Sequence, residues 1–323
     1  MARKRRRAGK GRNRKKRTGV SLEDLFEVIS NEEAARKWIE ELRWGKNGCD
    51  RFCPHCGSID TYATKTGRPQ PYRCRDCKKW FSVRVGTAMQ SSKLPFRKWI
   101  IAAYLLNSSV KGMSSLELHE YLKVSRKTAW MLGHKLRQGY LAAIDTGKLR
   151  GVVEADETYI GGLEKNKHWD KKLRMGRGTA GKAIVVGVKS RNSKQVRAAV
   201  VQRADRRTLH SFVRRHVKPG STLYTDEAPS YEGMPEYFHD SVSHSRGEYV
   251  RDDVHTNGIE SFWAFIKRGH KGVYHYWSDK HLQRYIDEFV GRFNAGKLDP
   301  ADQLMLLILG LEGRVLPWKE LTR

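Results

Sequence analysis

Four cysteines and acids at three separated places are the residues in this chain whose types and spacing could do chemistry. The cysteines form two Cys-x-x-Cys pairs, Cys53 with Cys56 and Cys74 with Cys77, with 17 residues between the pairs. Each pair predicts a tight knuckle that aims two thiolates at one point. Two knuckles complete a tetrahedral four-sulfur site, which suits zinc, and a site so closed leaves no open coordination position and is structural. The competing reading is four unrelated free cysteines, and Cys49 and His55 stand close enough in sequence to compete as ligands.

The acids call for a different ion. Glu154-Ala155-Asp156-Glu157 closes one apolar run and Tyr224-Thr225-Asp226-Glu227 closes another. A third acid, Glu260, lies in HTNGIESFWAFIKRG at 255–269, where Ile259, Phe262, Trp263 and Ile266 make the apolar stripe of a helix. Acids at the ends of neighbouring strands, facing a helical acid, are what two magnesium ions need. Hard cations take oxygen ligands, and two of them about 3.5–4 Å apart stabilise both the attacking and the leaving oxygen of a phosphoryl transfer. Each acid also has a plainer reading. Glu154, Glu157 and Glu227 read as solvated or supporting groups, and Asn257-x-x-Glu260 has the form of a helix capping box with Asn257 as the cap.

The elements that must position these groups follow from periodicity and punctuation. Short helices are expected at 21–29 and 31–42, with Ser30 and Asn31 available as caps, and the cysteines follow among turn formers and short strand-like pieces. Residues 95–107 read as an apolar helix; 114–122 and 125–141 read as two more, with Ser114 and Ser125 where caps belong. Three helices with a short turn before a basic last one predict a helix-turn-helix unit. Its last helix would present Arg126, Lys127 and Thr128 to DNA. From residue 151 the pattern changes to strands at 151–155, 182–188, 196–201 and 221–225, with a helix at 206–217 between the last two. That order fits an α/β fold of the ribonuclease H kind.

Charge names the partner. The 323 residues carry a net +28, with a pI near 10.0. Residues 3–17 hold 11 Lys or Arg and no acid, which still leaves +17 on the rest. A chain so basic needs a polyanion, and nucleic acid is favoured over an anionic membrane because no apolar anchor accompanies the charge. The segment 1–19 cannot bury apolar surface, so it is expected to be disordered when free and to lie on phosphates when bound, or else to be a solubilising tail. No apolar run approaches a membrane span and no signal peptide is visible.

The motifs CPHCG, YRCRDCKKWFSVRVGT, VEADETYIGG, YTDE and HTNGIESFWAFIKRGHKGVYHYWSDKHLQRYIDEF together resemble insertion-sequence transposases of the ISXO type over about residues 30–295. The resemblance implies a zinc ribbon ahead of a ribonuclease H-like domain with a carboxylate triad. It implies cutting and strand transfer at terminal inverted repeats with magnesium or manganese. By motif, Asp156 and Asp226 match the first two acids. The third position is Glu260 or Asn257, with the charged carboxylate preferred. Lys267 matches the basic residue that follows, with Arg268 beside it as a further DNA contact.

The expected organisation is multidomain: a basic arm at 1–19, helices at 20–48, a zinc ribbon at 49–90, a helix-turn-helix-like domain at 91–147, the catalytic domain at 148–295, and a C-terminal helical segment at 296–323. Double-stranded DNA is the expected partner, with a homo-oligomer formed when ends are synapsed. The expected location is the nucleoid of a bacterial or archaeal cytoplasm. The rival readings are a nuclease that only hydrolyses and a domesticated transposase that only regulates.

Overall fold

The computed structural model describes residues 20–161, 181–226, 229–242 and 254–323. The basic segment 1–19 and Glu227 lie outside the described residues. The chain opens with α1 (Leu22–Val28) and α2 (Glu32–Trp44). Ser21 and Asp24 form a reciprocal capping box on α1, and the Asn31 side chain accepts from the Ala34 amide at 2.9 Å to start α2. The cysteine region is an antiparallel ribbon of β1 (Thr61–Ala63), β2 (Tyr72–Cys74) and β3 (Trp80–Phe81). Then come α3 (Phe96–Ser108), α4 (Ser115–Leu122) and α5 (Arg126–Gly139). Ser114 and Ser125 cap α4 and α5, and the turn between them closes through Lys123 in the left-handed region, at φ 49°.

Residues from the spans 20–48, 49–90, 91–147 and 296–323 share one cluster of buried side chains. Strands of two or three residues cannot enclose a core of their own. The ribbon instead packs Tyr72 and Phe81 edge-on against Trp44 of α2, at 5.5 and 6.0 Å between ring centroids. The same cluster takes in Leu304, Leu307 and Ile308 of α9 (Pro300–Leu309).

The α/β part is a five-stranded sheet of β4 (Val152–Ile160), β5 (Ala183–Ser190), β6 (Val196–Val201), β7 (Thr222–Asp226) and β8 (Phe238–Val242), in the order β6-β5-β4-β7-β8. β4, β5 and β6 pair antiparallel, whereas β4, β7 and β8 pair parallel. One face is covered by α6 (Arg206–His216), whose Leu209, Phe212 and Val213 meet Val153, Ala155 and Val186. The other is covered by α7 (Asn257–Gly269) and α8 (Asp279–Ala295), which bury Ile259, Phe262, Trp263 and Phe289 against Val185 and Val196.

Two strands differ from expectation. β4 runs to Ile160 rather than ending near Ala155, because β5 continues to pair with it as far as Ile160 opposite Ala183. β8 was absent from the sequence-based pattern. It is a short edge strand whose Phe238 is exposed and whose apolar alternation is correspondingly weak.

Candidate active site and metal centre

The four cysteine sulfurs lie within 4.8 Å of one another. Cys53 and Cys77 stand 3.6 Å apart and Cys56 and Cys74 3.7 Å apart. Zn–S bonds of about 2.3 Å in a tetrahedron place sulfurs about 3.8 Å apart, so the thiols fit zinc. The residue after each knuckle must turn through positive φ: Gly57 does so at 79° and Lys78 at 58°. The amides of Gly57 and Cys74 close the two turns, donating to Cys53 O at 2.8 Å and Lys79 O at 3.0 Å. Cys49 and His55 stand outside this group; the His55 ring reaches Trp80 O at 3.3 Å instead.

The acids are organised by strand register. β4 and β7 pair in parallel through Val152–Thr222, Val153–Leu223 and Glu154–Tyr224. Their ladder ends there, and Asp156 and Asp226 are level two residues further on. This is also where the sheet switches direction of connection, since the chain leaves β4 towards β5 on one side and leaves β7 towards β8 on the other. Open α/β sheets form clefts at such points. Asp156 thus lies mid-strand in β4, yet at the edge of the β4–β7 ladder.

Period-two alternation sends Glu154 and Asp156 to the α7 face and Glu157 to the α6 face. Asp156 Oδ2 accepts from the Trp263 indole Nε1 at 2.9 Å, and its Oδ1 accepts from the Glu157 amide at 2.8 Å. Burial, then the charges of Asp226 and Glu157, push its carboxyl up to about 7. Burial also raises Glu157, on the far face, against the hydrogen bond it accepts from Tyr231 at 2.9 Å. The Trp263 ring reaches Asp156 because Gly187, the partner of Asp156 across β5, has no side chain. A Cβ there would meet the indole at 2.6 Å.

At the start of α7 two expectations are corrected. Asn257 is not the cap: Thr256 holds that position, without a side-chain bond to the helix amides, and Asn257 is the exposed first helical residue. No Asn257–Glu260 capping box forms, because the Thr256 hydroxyl hydrogen-bonds the Glu260 carboxylate at 2.9 Å. Nor is Glu154 solvated, being only 1% exposed. It reaches from the sheet to α7 and accepts from the Ile259 amide at 2.8 Å, satisfying one of the free N–H groups that every helix start presents. Arg191 pairs with it at 2.7 Å and holds His255 O at 2.7 Å. Gly258 lets the two elements approach, since a Cβ there would lie 2.4 Å from a Glu154 oxygen. These buried partners escaped the sequence reading. The aromatic-interrupted stripe of α7 pointed to Trp263 as core, but nothing in the spacing announced its hydrogen bond.

Glu260, Lys267 and Arg268 are exposed along α7. Arg126 and Lys127 are exposed in the first turn of α5, with Thr128 half-buried beside them. Lys127 stands 4.3 Å from the ring of Trp318 in α10 (Trp318–Thr322). Among the described residues, the cysteines are the one group of three or more metal-ligand types drawn together closely enough for a single ion; Asp156, Asp226 and Glu260 do not form such a group.

The described chain thus carries a cysteine-knuckle ribbon, a helical core and a mixed sheet with level acids at its switch point. Residues 30–80 match the transposase zinc-ribbon domain and residues 148–294 match the ISXO2-like transposase domain. The chain belongs to the ISXO2-like transposase family. It is 29% identical over 284 residues to an uncharacterized protein in transposable element ISH50 of Halobacterium salinarum, a match covering 82% of this chain and 91% of that protein. It is 31% identical over 106 residues to an uncharacterized transposase-like protein of Haemophilus influenzae, covering 32% of this chain and 85% of that protein.

Proposed function

We propose that the protein binds the terminal inverted repeats of its element, cleaves DNA there to free 3′-OH ends and joins them to target DNA by phosphoryl transfer. The observation that carries this reading is that Asp156 and Asp226 stand level just beyond the end of the parallel β4–β7 ladder, close enough that the Asp226 charge, with burial and Glu157, pushes the Asp156 carboxyl up to about 7. Negative charge gathered on half-buried carboxylates is what a divalent cation offsets, and an all-oxygen donor set suits magnesium or manganese. Asp156, Asp226 and Glu260 would hold it. Bound there, the cation supplies activation of the attacking oxygen and stabilisation of the departing 3′ oxygen.

The chain's own groups prepare the site. Trp263 fixes the Asp156 carboxylate, Thr256 orients Glu260, and Glu154 with Arg191 anchors the start of α7. Lys267 and Arg268 would hold the backbone near the cut, and Arg126, Lys127 and Thr128 would meet the repeat. The segment 1–19 would lie on phosphates, which position a protein without reading sequence. A sheet of this order, with its acids at the switch point, supports a ribonuclease H-like fold for the domain. Bringing two ends together calls for two or more copies, and the nucleoid is the compartment that holds the substrate. No described helix is long and apolar enough to cross a membrane.

The test uses oligonucleotides that carry the element's ends. Asp156→Ala and Asp226→Ala should each lose cleavage and keep DNA binding, and Glu260→Gln should do the same. Asn257→Ala should stay folded and retain activity. Substantial turnover by either aspartate variant overturns the site. An active Glu260→Gln beside a dead Asn257→Ala moves the third ligand to Asn257. Cleavage without strand transfer by the unaltered protein reduces it to a nuclease.

A further inference from the structure

A cavity opens beyond α7, on the side of the sheet order away from β7. Its volume is about 360 Å³. Phe265 of α7 and Phe293 of α8 form an aromatic floor, their centroids 6.3 Å apart. Lys189 forms a wall, with its ammonium 5.1 Å from the Phe293 centroid. Lys194 and Lys297, both exposed, stand at the rim. Arg292 also borders the cavity, but it is committed elsewhere, to Leu106 O at 2.7 Å and Glu288 at 3.3 Å. None of the described residues that line the cavity is acidic.

The wall is tied to the active site. Lys189 lies opposite Glu154 in the β4–β5 ladder, two residues from the Gly187–Asp156 pair. Its ammonium donates to Gly258 O at 2.7 Å, at the start of the helix that carries Glu260. Burial pulls Lys189 below the usual lysine range.

An apolar aromatic floor under a rim of ammonium groups is complementary to one ligand chemistry: a flat aromatic base joined to a phosphate. Base–aromatic stacking tolerates any base, because every base has a π-face. We infer that this cavity holds one unstacked nucleotide of the DNA, its base against Phe265 and Phe293 and its phosphate between Lys194 and Lys297. The inference rests on the DNA-processing reading and adds to it a place for a base drawn out of the helix beside the cut. Extruding a base costs less where it is already unpaired, so the cavity should favour DNA with a frayed or unpaired position.

The experiment uses the full chain and two end-bearing oligonucleotides, one fully paired and one with a single unpaired 5-iododeoxyuridine. The unaltered protein should bind the unpaired DNA more tightly, and ultraviolet light should cross-link the iodinated base to Phe265 or Phe293, located by peptide mass spectrometry. Phe293→Leu, which keeps the apolar volume but removes the ring, should weaken binding to the unpaired DNA by about tenfold, the range of one lost stack. The double variant Lys194→Ala with Lys297→Ala leaves the core untouched and should reduce affinity for the unpaired DNA more than for the paired. Equal weakening of both DNAs, or cross-links confined to other residues, overturns the nucleotide site while leaving DNA binding intact. Absence of binding to either DNA by the unaltered protein overturns the DNA reading itself, and this inference with it.

Discussion

His134 illustrates how much one residue's surroundings decide. It lies on α5, wholly buried, and neither ring nitrogen has a hydrogen-bond partner. Trp130, His281 and Tyr285 enclose it at 4.7, 4.8 and 5.5 Å between centroids. Burial first, then the charges of Arg137, His281 and Arg284, pull its pKa from 6.5 down to about 2. The folded chain therefore keeps this ring neutral, while the unfolded chain protonates it below its ordinary value. A base with a depressed folded pKa contributes stability above the unfolded value that is lost as pH falls from there. Melting temperature should accordingly decline between pH 6.5 and 4.5, and His134→Phe should flatten that decline. An identical pH profile in the variant would show that other groups set the acid limb.

At the scale of elements, α7 is held to the sheet by glycines as much as by apolar contact. Ile259 and Trp263 settle over Gly187 because no side chain intervenes there. Gly187→Ala would place a methyl group 2.6 Å from the indole. Overpacking of this kind costs about 1–3 kcal/mol. The variant should melt lower and cleave more slowly, because a lifted Trp263 no longer fixes Asp156. Trp263→Phe keeps most of the packing and removes only the hydrogen bond, so it should lose activity with a smaller loss of stability. Full activity in both variants would detach Trp263 from the chemistry.

At the scale of the molecule, the ribbon, the helices around it and α9 are one structural unit among the described residues. Tyr72, Phe81 and Val83 share their core with α2, α3 and α9, whereas the clusters on the two faces of the large sheet contain no residue of the ribbon. Removing zinc, by a strong chelator or by Cys74→Ser, should therefore release zinc, unfold the ribbon and loosen α2 and α3. β4 and β5 should persist. Hydrogen exchange read peptide by peptide checks this, and unchanged protection in α2 would show that the ribbon contributes nothing to that core. The helical unit meets the sheet through a buried ion pair, Arg137 of α5 with Glu288 of α8 at 2.8 Å, joined by Tyr274 at 3.1 Å. Glu288→Gln would leave the Arg137 charge buried without its carboxylate, a loss of about 3–5 kcal/mol that should show as a lower melting temperature.

Local signals carried much of this in the sequence itself. Paired Cys-x-x-Cys spacing determines two knuckles, because the chemistry is complete within four residues. Ser114 and Ser125 announce α4 and α5 because a cap acts on the next three amides. The apolar stripe of α7 and the runs that become β4 and β7 are likewise periodic and legible. Non-local pairings were not. The end of β4 depends on β5, and β8 on an edge position with little alternation. Capping at α7 fell to Glu154, more than 100 residues away in sequence, rather than to the nearer Asn257. The ribbon found its core in α2, α3 and α9, helices far apart in sequence. Spacing along a chain reports contacts within a turn or a strand. Which acid is buried, which indole donates to it and which glycine makes room are decided only when separate elements come into register.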